Sequence, residues 1–430
     1  MHRHTSVILS ALLALPATIT FSQGPVGFTI QLDTIHSGYD GRTCWVAPRA
    51  GIVGGSGGQA GTVVVTLQQL LLTGSDVFYA MNDLRTDDLG KTWTGPLAHP
   101  ETMGRRQETN SVEIVIGDFY PKWHAPTGKL LGTGPTVRYQ KNAQGADVKI
   151  SQNLAPSRTA YSVYDAEKRS WQPWAMMEMP ELPQFFYATV GASQRVDLAD
   201  GTILLPFHHK TGGESPYHTA VMRCAFDGKK LTYLEHGDEL SRPTEPGVEY
   251  KLPGGRQTGV FEPSLTRYRG RYYITMRNDR TAYVAESADG LHFGPVKRWR
   301  FDDGEDLGSR NTQQHWVTHS DGLFLVYTRV GANNDHVFRN RAPIFLAQVD
   351  PERLVVLRAT ERVLVPERGA SLGSAYGVTE VNEHETWVTT SEWMQGPKGL
   401  IPPGNPWKAD NSVYAARIRW KAPNRDWDAR

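Results

Sequence analysis

The chain has 430 residues, with 46 Lys and Arg against 45 Asp and Glu, a formal charge of +1. That balance supplies no global field to recruit nucleic acid or an anionic membrane, so any anion site must be local. Gly 42, Pro 27, Trp 12, Tyr 17 and Phe 14 suit many short strands joined by tight turns, and neither helical heptads nor α/β alternation is present, so an all-β fold is expected.

At the start, His2, Arg3 and His4 precede an apolar run over 7–19, followed by small and polar residues through Ser22 and Gln23. This reads as a secretory signal over 1–23, with 24–430 the mature chain as one domain, secreted or periplasmic. The run is too short for a comfortable membrane span, and nothing later reaches about 18 consecutive apolar residues, so no span is expected. Cys44 and Cys224 lie far apart in the chain and form no metal-knuckle motif; they are read either as a pair or as two separate buried thiols.

Residues 86–93, Thr86-Asp87-Asp88-Leu89-Gly90-Lys91-Thr92-Trp93, match the Asp-box pattern [ST]-x-D-x-G-x-T-W. The Asp88 carboxylate is expected to accept N–H groups of its own turn, Gly90 to supply permissive backbone, and Trp93 to fold over the hairpin. Strand-like runs ending in polar turns recur along the chain at a spacing that suits propeller blades. They cover 78–93, 161–174, 220–234, 283–293 (with a shortened box at 287–293), 344–355 and 412–420. Between them lie second strands at 129–134, 203–206, 272–276, 324–327 and 387–388. About six units of four strands result, so a six-bladed β-propeller is expected, with five or seven blades open.

Arg49, Arg277 and Arg341 stand in or beside apolar strand-like segments, where an unpaired guanidinium is costly. Together they suit a carboxylate clamp, because guanidinium offers planar bidentate donors. Glu262 sits among apolar residues just before a strand, with Arg277 following as if across one hairpin. Tyr376 lies in a small-residue setting, and Glu392 follows at the end of the next strand. His208-His209 lacks the partner spacing of a zinc site, and no nucleotide loop is present, so neither metal nor cofactor is expected.

In this order of residues the chain resembles the sialidase (neuraminidase) superfamily, especially bacterial exo-α-sialidases of the glycoside hydrolase family 33 type, across nearly all of the mature chain. The resemblance implies a sialidase-like propeller that hydrolyses terminal sialic acids from glycoconjugates. Arg49, Arg277 and Arg341 would bind the substrate carboxylate, Glu262 would take the proton from the nucleophile Tyr376, and Asp76 would serve as acid and base. Glu392 would orient Arg49, and Asp118 would match the family's second pocket aspartate. A tyrosine nucleophile suits a sugar whose anomeric carbon carries a carboxylate, since a neutral hydroxyl avoids like-charge repulsion, and the expected outcome is retention. Arg42 competes with Arg49, Asp83 with Asp76, and Arg329 and Arg339 with Arg341. A monomer binding sialylated glycans is expected; the alternatives are a non-catalytic acidic-glycan-binding propeller and a hydrolase or lyase for another acidic sugar.

Overall fold

In a computed structural model, residues 26–54, 61–72, 77–244, 259–373, 376–397 and 399–427 are described. The signal expected over 1–23 and the candidate Asp76 fall outside the described residues. Apart from the short helix Pro100–Met103 and a few 3-10 turns, the described elements are strands. Val, Ile, Tyr, Phe and Trp alternate with polar residues or form short apolar runs, which pleated, half-buried surfaces accommodate well.

The strands form a propeller-like series of antiparallel sheets. Thr43–Val53, Thr62–Leu71, Val77–Thr86 and Thr94–Ala98 pair in chain order. So do Phe261–Tyr268, Arg271–Arg277, Tyr283–Ser287 and Lys297–Arg298. His315–His319, Gly322–Tyr327, Ile344–Asp350 and Val355–Val356 make a third such sheet, with Arg362–Val365 added on Ile344–Asp350. The last sheet runs Gly377–Asn382, Glu385–Ser391, Val413–Trp420 and then Phe28–His36. Its outer strand comes from the beginning of the chain, with Phe28 opposite Trp420 and Leu32 opposite Ala416. Chain start and chain end are therefore locked in one ladder, which closes the series. Between residues 106 and 236 the strands join a 13-stranded sheet, because the long strand Lys129–Lys141 pairs with Tyr120–His124 and Ser157–Asp165 through one half and with Val112–Ile116 through the other. Ser157–Asp165 then meets Tyr187–Thr189 in parallel and leads to Thr202–Lys210, His218–Phe226 and Leu231–His236.

The core lies between neighbouring sheets. Val63, Val65 and Leu67 pack with Trp387, Val413 and Ala415; Val317 and Phe324 pack with Val388 and Ile418. Tyr273 and Val284 meet Trp316 and Leu325, and Leu204 and Val221 meet Leu265 and Ile274. Burying such side chains stabilises by about 1.5–3 kcal/mol each, and every sheet has an apolar partner on both flanks. The first strands of the sheets consequently neighbour one another: Thr43–Val53 touches Tyr120–His124 and Gly377–Asn382, while Phe261–Tyr268 touches Val196–Asp197 and His315–His319. Lys122 and Asp197, 3.6 Å apart, join Tyr120–His124 to Val196–Asp197.

Cys44 and Cys224 are free thiols in two different core clusters, and burial pushes each up to about 12.

Candidate active site

Several of these inner strands begin with a backbone irregularity, and the candidate residues sit there. The register of Thr43–Val53 shifts between Val46 and Arg49, with Ala47 at φ +55°. Asp118 has φ +45° just before Tyr120–His124. Glu262 has φ +46° in a shift between Phe261 and Ser264, and Asn311 has φ +50° ahead of His315–His319. A left-handed residue other than glycine costs about 1–3 kcal/mol, and a bulge re-aims the side chains beside it. Gly191 makes room for one of them: a Cβ there would come 2.6 Å from the Glu262 Cγ.

The irregularities gather Asp118, Glu262, Arg277 and Arg341 on the wall of a cavity of about 730 Å³, together with Tyr187, His208, Tyr217, Asn311, Gln313 and Arg339. Arg277 Nη1 donates to Glu262 Oε2 at 2.5 Å, and Gln313 Nε2 donates to the same oxygen at 2.8 Å. The other terminal nitrogen of Arg277 donates to Asn311 Oδ1. Arg341 donates to the Asn311 carbonyl from Nε at 2.9 Å and from Nη2 at 2.5 Å. Burial would raise the Glu262 carboxyl, but the Arg277 charge and the Gln313 amide outweigh it and hold it down to about 2. Glu262 is therefore ionised at ordinary pH. His208 lies beside it, with Nδ1 accepting the Glu262 N–H at 3.4 Å, and burial keeps this imidazole down to about 4.

Arg49 lies behind this wall. It is fully buried, its Nη2 donates to Asp118 Oδ1 at 3.2 Å, and its guanidinium lies 5.8 Å from the Tyr120 ring centre. Of the three arginines, Arg277 and Arg341 line the cavity and share Asn311, whereas Arg49 reaches it only through Asp118.

Two residues are placed differently from their expected roles. Tyr376 is fully buried, and its hydroxyl donates to the Gln313 carbonyl and, at 3.1 Å, to the Val326 carbonyl, not to Glu262. Burial pushes the phenol well above its ordinary range, so Tyr376 as placed is a neutral clasp beneath the cavity. Its ring meets His315 edge-on at 4.9 Å. Glu392 is engaged by Arg368 at 2.8 Å, by the N–H groups of Asp410 and Ser412 and by the Tyr414 hydroxyl at 3.0 Å, and not by Arg49. The reason is chain direction: Glu392 lies past the end of Glu385–Ser391, beside 410–414, while Asp118 fills the place next to Arg49.

Among the rivals, Asp83 is a buried structural carboxylate bound to His99 at 2.8 Å and Trp171 at 3.1 Å. Arg329 is paired with Glu361 at 2.7 Å, and Arg339 lines the cavity. The rim draws on Lys210, Glu214, Ser215 and Tyr217, whereas the described residues of 395–407 are absent from the lining. Asn311 and Gln313 went unread in the sequence. Their signal was the polar run Asn311-Thr312-Gln313-Gln314 directly before an apolar strand, in which 312–314 are buried.

No protein-family model matches the chain, and no curated protein is similar to it in sequence. Solved structures are similar in fold. A Dyadobacter fermentans protein of unknown function is 13% identical with TM-score 0.55, over 91% of this chain and 99% of that one. Trypanosoma rangeli sialidase is 13% identical with TM-score 0.53, over 86% of this chain and 55% of that one, so the present chain spans about half its length. Penicillium chrysogenum α-L-arabinanase is 13% identical with TM-score 0.50, over 92% and 99% of the two chains. What they share with this chain is the propeller-like all-β fold.

Proposed function

We propose that this chain is a secreted glycoside hydrolase that removes terminal acidic sugars from glycoconjugates, with sialic acid the first substrate to test. The observation that carries the reading is the continuous array Glu262, Arg277, Asn311 and Arg341 along one cavity wall, an ionised carboxylate beside two guanidinium groups. Arg277 and Arg341 supply donors for a substrate carboxylate, and Glu262 supplies the negative charge that a developing oxocarbenium ion or a departing proton needs. The 13-stranded sheet is read as two blades, one entered by Tyr120–His124 and one by Val196–Asp197, joined where Tyr187–Thr189 pairs with both Ser157–Asp165 and Thr202–Lys210, which brings the propeller to six. The first box-like turn and its shortened relative at 287–293 staple two of these blades.

In the sialidase route Tyr376 attacks the anomeric carbon, Glu262 takes its proton, and Asp76 acts as acid and base, with retention. That route requires the Tyr376 hydroxyl to exchange its two carbonyl partners for Glu262 and the substrate. In a sugar whose carboxylate lies off the anomeric carbon, such as a uronic acid, Glu262 itself can attack without like-charge repulsion. The experiment is hydrolysis of 4-methylumbelliferyl α-N-acetylneuraminide and of 4-methylumbelliferyl glucuronides by the purified chain and by Glu262→Gln. Release of fluorophore is expected for one of them, with kcat lowered about 10²- to 10⁴-fold in the variant. Undiminished release by Glu262→Gln would sink the assignment. The engaged Tyr376 hydroxyl favours a second reading, a non-catalytic acidic-glycan-binding propeller, which predicts saturable binding of free N-acetylneuraminic acid with no release from either substrate.

A further inference from the structure

Two like charges held side by side need a partner that fixes their spacing without cancelling the field, and Asn311 has that position. Its Oδ1 accepts from Arg277 and, at 3.4 Å, from Arg341 Nη2, and its carbonyl accepts from Arg341 Nε at 2.9 Å and Nη2 at 2.5 Å. Its own N–H donates to the Asn278 carbonyl at 2.8 Å, so the loop is tied to the residue that follows Arg277. The backbone is left-handed at φ +50°, a conformation that asparagine tolerates better than most side chains. Asn311 thus combines a short neutral acceptor, engaged mainly by Arg277, with a backbone shape that presents its carbonyl to Arg341. An aspartate would offer the same acceptor but would add a negative charge between two cations, one of which, Arg277, already faces Glu262 at 2.5 Å.

We infer that Asn311 is a positioning residue that sets the spacing of Arg277 and Arg341 and keeps the pair cationic, so that the site selects a carboxylate-bearing sugar over its neutral counterpart. The inference rests on the acidic-sugar reading above and deepens it. Asn311→Gly keeps the left-handed backbone, and with it the carbonyl contacts to Arg341, while deleting the Oδ1 acceptor for Arg277 and its longer contact to Arg341. Asn311→Asp keeps the acceptor and cancels charge.

The test uses the full chain and follows 4-methylumbelliferyl α-N-acetylneuraminide and its methyl ester by turnover, and N-acetylneuraminic acid and its methyl ester by titration. Asn311→Gly is expected to raise KM or Kd for the acid about 10-fold with little change in kcat, because one hydrogen bond to a charged group is lost. Asn311→Asp is expected to weaken the acid about 30- to 100-fold and the ester less than about 3-fold. Thermal melting of both variants within a few degrees of the parent establishes that they are folded. An equal penalty on acid and ester would overturn the role of Asn311 while leaving the acidic-sugar reading intact. If the parent protein neither binds nor turns over the acid in preference to the ester, the acidic-sugar reading fails and takes this inference with it.

Discussion

At the scale of single residues, the same groups that look reactive in a sequence divide into those facing the cavity and those supporting it. Glu262 faces it, held ionised by Arg277 and Gln313. Tyr376 supports it, because a phenol with no exposed surface and two carbonyl partners is a hydrogen-bonded core residue. Tyr376→Phe is therefore expected to remove about 1–3 kcal/mol of stability by leaving those carbonyls without their donor. The melting temperature should drop by a few degrees, and on the route in which Glu262 itself attacks the sugar kcat should stay within about tenfold. A loss of kcat beyond about 10³-fold at unchanged melting temperature would restore the hydroxyl as nucleophile and reject its structural assignment.

At the scale of elements, the turn at 86–93 shows how a short polar segment fixes a hairpin. Thr92 donates to Asp88 through N–H at 2.9 Å and through its hydroxyl at 2.7 Å, and Gly90 N–H donates to Thr86 Oγ1 at 2.8 Å. The segment 287–293 repeats the pattern, with Leu291 and His292 N–H groups on Asp289 Oδ1 at 2.9 and 2.8 Å. The first turn also docks outward. Trp93, expected to cover its own hairpin, lies 6.0 Å from Trp387 of the closing sheet, and Arg417 of that sheet donates to the Leu89 carbonyl. Gly90 sits at this junction with φ +78°, and a Cβ would collide with the Arg417 guanidinium and come 3.2 Å from the Trp387 ring. Gly90→Ala should cost more than about 1 kcal/mol, since both conformation and contact oppose it, and lower the melting temperature by about 1–2 °C or more. Its kcat should match the parent. A melting temperature equal to the parent's would show that this junction contributes nothing to closure.

At the scale of the whole molecule, the inner strands hold several imidazoles in a neutral state. Burial lowers His208 and His209 to about 4 and His315 to about 3, against 6.5 for the unfolded chain. Between those values the unfolded chain binds protons that the fold refuses, so stability must fall as the pH drops below about 6.5, by about 1.4 kcal/mol per pH unit for each such histidine. Glu262 acts in the same direction lower down, since its folded value near 2 lies beneath the ordinary 4.5, and its contribution is lost as the pH falls from 4.5 towards 2. Melting curves between pH 7 and pH 4 should show a steadily falling midpoint; a midpoint unchanged from pH 7 to pH 5 would contradict the burial of these rings.

The sequence by itself determined the all-β character, the strands at 203–206, 272–276 and 324–327, and the placing of Glu262 and Arg277 across one hairpin, because alternation, turn residues and hairpin spacing are local properties of the chain. Only the tertiary structure decided which side chains meet across sheets. It gave Arg49 to Asp118 instead of Glu392, turned the Tyr376 hydroxyl to two carbonyls, and brought Asn311 between Arg277 and Arg341. Those outcomes depend on bulges and left-handed residues at 47, 118, 262 and 311, whose aim no hydrophobic period encodes. They also depend on the closing of the first strand onto the last, a contact between residues nearly the whole chain apart. Local patterning specifies the strands; the ring they close into sets which charges face one another.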